Sequence, residues 1–161
     1  LYTTKTRSRQ RAIPVLLADI GQVERVALPL PALALLLAEA FWPGPLTLVV
    51  PKRDDLPALV SALQTVGVRV PDHEATRAVI RAAGGALAVT SASRSGGRSP
   101  VTVEDAVAQL GEAVALYLDG GPCSGGQPST VVEVSAAGLK VLRPGPIGEG
   151  ALRAALGQSA D

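Results

Sequence analysis

A mixed α/β (α+β) fold, a twisted sheet with flanking helices, is what the sequence predicts, and three observations predict it. Short apolar runs of strand length alternate with segments of helical periodicity along the 161 residues. The last two strand-like runs follow one another across a tight turn, which makes them antiparallel partners and the sheet mixed rather than purely parallel. Hydrophobic residues make up 47% of the chain, enough for a packed interior without metal or disulfide staples. No internal repeat or long linker interrupts the pattern, so residues 1–161 are read as one domain.

In chain order, residues 1–4 read as the tail of a strand and 13–18 as an apolar strand after a basic loop. Residues 19–27 carry polar side chains at helical spacing, enough for one or two turns. Residues 31–41 read as a helix, with Pro31 near its first turn, where a missing N–H costs little, and Pro43-Gly44-Pro45 as its stop. Residues 46–50 have the pattern of a buried strand, 56–63 of a helix, and 66–70 of a strand that carries Arg69 and ends at Pro71. Helical periodicity runs through 73–83 and closes on Gly84-Gly85. A short strand at 86–89 leads to a polar loop at 90–100. A helix follows over 103–110, with Thr102 as N-cap and Asp105 in its first turn. Residues 115–118 read as a strand, 119–128 as a Gly/Pro loop, 130–134 and 139–142 as paired strands, and 147–156 as a final helix.

Charge and composition narrow the function classes. The net charge is +1, yet Lys5, Arg7, Arg9 and Arg11 place four cations ahead of the first acid, Asp19. Such a stretch is either a solvated terminus or a clamp for phosphate or an RNA backbone. The single cysteine, Cys123, has no internal partner, which fits a reducing, cytoplasmic setting. No apolar stretch reaches the roughly 20 residues of a membrane helix, and no signal peptide is visible. The chain contains no methionine, from which upstream residues are expected to be missing.

Several familiar motifs fail. The Gly-rich segment 120–130 lacks the lysine of a phosphate loop, and no G-x-G-x-x-G opens a helix after the first strand. Cys123 lies between two loops rather than on a strand-to-helix elbow, so it reads as an inert thiol. His73, the only histidine, sits at a helix start and reads as a first-turn residue; one histidine and one cysteine do not make a metal site. No metal ligand is assigned.

Other stretches fall into a shared order: Lys5-Thr6-Arg7; Phe41-Trp42-Pro43-Gly44-Pro45-Leu46-Thr47; Val68-Arg69-Val70-Pro71; Thr90-Ser91-Ala92-Ser93-Arg94-Ser95-Gly96; Asp119-Gly120-Gly121 through Pro128-Ser129-Thr130-Val131-Val132; and Leu142-Arg143-Pro144-Gly145. Together they resemble the YrdC/Sua5/TsaC family. The resemblance implies a mixed sheet with flanking helices around a basic cavity. It also implies synthesis of L-threonylcarbamoyl-AMP and pyrophosphate from L-threonine, bicarbonate and ATP, for the t6A37 modification of tRNA. In-line displacement at phosphorus accumulates negative charge on oxygen, so cationic side chains rather than a nucleophilic triad carry such a reaction.

By the same resemblance Lys5 and Arg7 are the catalytic cations. ATP is bound by Lys5, Arg7, Arg11, Thr65, Ser93 and Arg143, and threonine by Arg69, Ser91 and Ser129. ATP enters as substrate with Mg2+ expected beside it, and the t6A transferase machinery is expected downstream. The residues depart from the family pattern at Ser93 in place of Asn, Ser8 and Ala12 in place of prolines, and Leu16 in place of a substrate-side histidine. The family's opening helix and T-D-T-x-Y-G-L-like strand are absent, which implies an N-terminally truncated chain or a divergent relative. The alternative function is a non-catalytic domain that binds double-stranded RNA or tRNA through backbone and shape, since aromatics at 2% leave few stacking platforms. A related carbamoyl-adenylate chemistry, like that of hydrogenase-maturation relatives, is the remaining class.

Overall fold

The structure is a computed structural model that describes residues 12–123 and 127–157. These residues form two compact units, one of 12–89 with 128–157 and the other of 90–123 with 127. The strand expected at residues 1–4 and the expected site residues Lys5, Arg7 and Arg11 lie outside the described residues.

The first unit holds a six-stranded sheet. Its strands are β1 (Val15–Leu17), β2 (Leu46–Pro51), β3 (Thr65–Arg69), β4 (Ala86–Ala88), β5 (Thr130–Ser135) and β6 (Gly138–Arg143), in the order β4-β1-β3-β2-β5-β6. The β1–β3 and β2–β5 pairs are parallel, and β1–β4, β2–β3 and β5–β6 are antiparallel. The mixed sheet is therefore the one expected, including the late hairpin.

Period-two alternation gives the sheet two chemically different faces. Val15, Leu17, Leu46, Leu48, Val50, Val66, Val68, Val132 and Val134 are buried together in one cluster. Helices α1 (Ala32–Phe41) and α4 (Glu149–Ala155) cover that cluster with Ala34, Leu37, Ala38 and Leu152. α1 packs on β2 and on α4, and ends where Trp42 turns extended ahead of Pro43, a residue that disfavours helix in its predecessor. A 3-10 segment, Ile20–Arg25, occupies the predicted one or two turns.

α2 (Glu74–Ala82) packs on β1 and β4, and Arg77 Nε donates to Ala18 O at 2.7 Å. His73 is the N-cap of this helix: the Thr76 N–H donates to its Nδ1 at 3.2 Å, so the histidine is structural. Gly84 and Gly85 close α2 with φ of 103° and 93°, conformations that favour glycine. In the second unit, α3 (Val103–Leu110) is capped by Thr102, whose hydroxyl accepts from the Asp105 N–H at 3.2 Å, as predicted.

Two expectations are corrected. Residues 56–63 are turns, not a helix. The segment closes one turn, with the Val60 N–H donating to Pro57 O at 2.8 Å, and then makes long-range bonds: Val60 O accepts from Ile13 N at 2.8 Å, and Ser61 O from Lys52 Nζ at 3.1 Å. Residues 115–118 are not a strand. A strand needs a hydrogen-bonded neighbour, and among the described residues none pairs with this segment, whose Leu116 and Leu118 are 71% and 65% exposed.

Candidate functional site

The second face of the sheet collects polar and cationic side chains. Thr47, Val131 and Arg143 are partners in one row across β2, β5 and β6. Arg69 shares their face, because its neighbour Val68 and Thr47's neighbour Leu48 are paired on the buried side. Leu16, directly opposite Arg69 on β1, completes the row where the resemblance expects a histidine.

Arg143 reaches this face through a shift of register. Val132 pairs with Val141, but Val131 pairs with Arg143, so Leu142 is an extra residue in β6. In an unbroken ladder Arg143, two residues after Val141, would lie on the same side as Leu139 and Val141, which pack on the core; the extra residue sets it on the other side. With it, the guanidinium folds back on Ser129. Nε and Nη2 donate to Ser129 O at 3.1 and 2.7 Å, and Nη2 also donates to Ser129 Oγ at 3.1 Å.

The Ser129-Thr130 backbone is held from several sides. The Thr130 N–H donates to Pro45 O at 2.9 Å. The buried Thr130 hydroxyl donates to Ile147 O at 2.9 Å and accepts from the Ile147 N–H at 3.0 Å. Gly145 allows the chain after β6 to lie against this stretch, since a Cβ there would overlap the Thr130 nitrogen and sit 2.7 Å from Pro128 O.

Arg69 is placed by the Trp42-Pro43-Gly44-Pro45 turn. Its Nε donates to Gly44 O at 2.8 Å, while the Gly44 N–H donates to Val70 O at 2.9 Å and Trp42 Nε1 donates to Leu46 O at 2.8 Å. Burial, and secondarily the charge of Arg143, hold the Arg69 pKa below its ordinary value. Among the described residues neither arginine has a carboxylate partner. Arg69 is half-buried and Arg143 exposed, and an anion between two such guanidiniums would relieve both their repulsion and the desolvation of Arg69.

Ser129, Arg69 and Arg143 are thus brought together on one face. Thr65 shares that face four residues upstream of Arg69, about 13 Å along β3 at 3.3 Å per residue, so the two cannot grip the same small group. Ser91 and Ser93 belong to the second unit. Their hydroxyls are 3.0 Å apart, and Ser93 is only 3% exposed. Gln109 holds the loop that follows: its Oε1 accepts from the Arg94 N–H at 3.1 Å, its carbonyl accepts from Arg94 Nε at 2.8 Å, and its Nε2 donates to Arg98 O at 3.1 Å.

Sequence reasoning assigned Thr47 no role, yet it joins this group. Its hydroxyl is 2.8 Å from Ser129 Oγ, and both residues are buried, 7% and 8% exposed. The signal was a single hydroxyl inside the apolar run Leu46-Thr47-Leu48-Val49-Val50. The Gly44 carbonyl had no signal of its own. Cys123 is an exposed free thiol in the chain's second unit.

Fold and site together define a mixed α/β domain with a cationic, hydroxyl-bearing sheet face. The family model named Sua5/YciO/YrdC and described as "Telomere recombination" matches residues 1–145. The chain belongs to the Sua5/YciO/YrdC family. It is 37% identical over 159 residues to a Bacillus subtilis protein named threonylcarbamoyl-AMP synthase, covering 98% of this chain and 46% of that one. A Pyrococcus abyssi protein of the same name is 34% identical over 146 residues, covering 90% of this chain and 43% of its own length. The crystal structure of P. abyssi Sua5 complexed with L-threonine superposes with a TM-score of 0.92 at 31% identity, over 98% of this chain and 47% of that one. The chain spans slightly under half the length of each of these three. No helix among the described residues is long and apolar enough to cross a membrane.

Proposed function

We propose that this domain is an L-threonylcarbamoyladenylate synthase, a nucleotidyltransferase that consumes L-threonine, bicarbonate and ATP. The observation that carries the reading is the pair Arg69 and Arg143, two cations without carboxylate partners among the described residues, beside the Ser129 hydroxyl on one sheet face. Relatives bearing the synthase name, and a related structure that holds L-threonine, support it.

In this reading the Arg69 fork pairs with the threonine carboxylate, and Ser129 and Ser91 take up its remaining polar groups. Arg143 faces the ATP phosphates, with Ser93, Thr65, Lys5, Arg7 and Arg11 completing the nucleotide site and the basic cavity. The threonine amine and bicarbonate give a carbamate with loss of water. A carbamate oxygen bonds to the α-phosphorus, the bond from that phosphorus to the β-phosphate bridging oxygen breaks, and pyrophosphate leaves. Negative charge grows on the non-bridging and departing oxygens, and Lys5, Arg7 and Arg143 stabilise it. Fixed guanidiniums do so without reorganising at the moment of reaction.

Magnesium comes with the ATP phosphates. Among the described residues no three His, Cys, Asp or Glu side chains gather into a ligand set, so no step is assigned to a protein-held ion. The product would pass to the t6A transferase machinery in the cytoplasm, and residues 1–161 would act as one YrdC-like domain.

The test is pyrophosphate release from ATP with magnesium, bicarbonate and labelled threonine. Release that requires threonine, with label entering an adenylate, is expected. Release that ignores threonine, or none at all alongside salt-sensitive binding of double-stranded RNA, contradicts the reading and favours an RNA-binding role.

A further inference from the structure

We infer that Thr47 is a positioning residue that fixes the Ser129 hydroxyl for the amino-acid substrate, an inference that rests on the proposed synthase function. Thr47 lies in β2 between Leu46 and Leu48, both fully buried on the opposite face. Valine would fill the same volume at such a position without a polar atom. A buried hydroxyl is costly unless bonded, and the partner here is Ser129 Oγ at 2.8 Å.

The hydrogen-bond inventory of Ser129 shows what that bond does. A serine hydroxyl has one hydrogen and two lone pairs. Arg143 Nη2, which can only donate, occupies one lone pair. If Thr47 donates to the second, the Ser129 hydrogen is left to point at a ligand oxygen. If Ser129 donates to Thr47, one lone pair is left for a ligand N–H or O–H. In either state Ser129 presents a single complementary function in a fixed direction, and the ligand selects which. Without the Thr47 hydroxyl the rotor is loose and a buried valence is unfilled. Arg143 depends less on this bond, because Nε and Nη2 are also anchored on the Ser129 carbonyl. Loss of Thr47 should therefore weaken the amino acid more than the nucleotide.

The experiment is a double-mutant cycle read by calorimetric titration with L-threonine and, separately, with ATP. Thr47→Val should raise the threonine Kd roughly three- to tenfold, the worth of one neutral hydrogen bond, and leave the ATP Kd within about twofold. Thr47→Ser should restore threonine affinity. In a Ser129→Ala background Thr47→Val should add nothing, since its route is gone. Wild-type threonine affinity in Thr47→Val, or an equal penalty with and without Ser129, overturns the inference while the synthase reading stands. Wild-type protein that binds no threonine overturns both. If Thr47→Val loses its cooperative melt, Thr47→Ala carries the same comparison.

Discussion

Arg143 donates three hydrogen bonds to one residue, two to the Ser129 carbonyl and one to its hydroxyl, and that anchoring separates it from a surface arginine. A rigid planar fork is pre-organised for phosphate, whereas a lysine at the same place would be a mobile point charge. Arg143→Ala is expected to raise the ATP Kd by about tenfold or more, and Cys123→Ala to leave it unchanged, as read by calorimetry. Equal effects would show that the exposed thiol region matters as much as the sheet face. Gly145 is constrained by space: a methyl there meets the backbone of Pro128, Ser129 and Thr130. Gly145→Ala should cost about 1–3 kcal/mol in chemical denaturation, because the obstruction is backbone that cannot step aside. Gly150→Ala in α4 is the control. It meets nothing within 4 Å and should leave stability unchanged or slightly raised.

The extra residue Leu142 lets Arg143, two positions after Val141, stand opposite Val131 on the other face of the sheet. Deleting it joins Arg143 directly to Val141 in strict register, still opposite Val131 and still away from the side on which Leu139 and Val141 pack. The deletion should therefore weaken ATP binding less than Arg143→Ala does, as read by calorimetry. A loss as large as in Arg143→Ala would contradict this register. This is also where sequence reading met its limit. Apolar periodicity located the strands at 46–50, 66–70 and 130–134 and the helices at 31–41, 73–83 and 103–110, and the Thr102 cap was visible from residue type alone. A one-residue shift in pairing leaves no trace in hydropathy, because it depends on the partner strand. Residues 56–63 misled for a related reason. Their apolar spacing suits a helix, but their carbonyls serve Ile13 and Lys52, contacts made at long range. Residues 115–118 have strand-like composition, and composition does not supply a neighbouring strand.

At the scale of the molecule, residues distant in sequence converge because the strand order β1-β3-β2-β5-β6 lines up Leu16, Arg69, Thr47, Val131 and Arg143. The motif stretches singled out Arg69, Ser129 and Arg143, which share one sheet face. Thr47 stands within a motif without a visible role, since the role inferred for it depends on a hydrogen bond to a residue 82 positions away. The buried face, by contrast, was legible as apolar alternation. The central claim is that the cationic face recognises the carboxylate of a small hydroxylated amino acid through Arg69. The most direct measurement compares, by calorimetry, L-threonine with L-threoninol, which keeps the amine and hydroxyl but lacks the carboxylate. The account predicts that threoninol binds about ten- to hundredfold more weakly, the range of a charge-assisted pair, and that Arg69→Ala erases the difference. Equal affinity of the two ligands for the wild-type protein would contradict it.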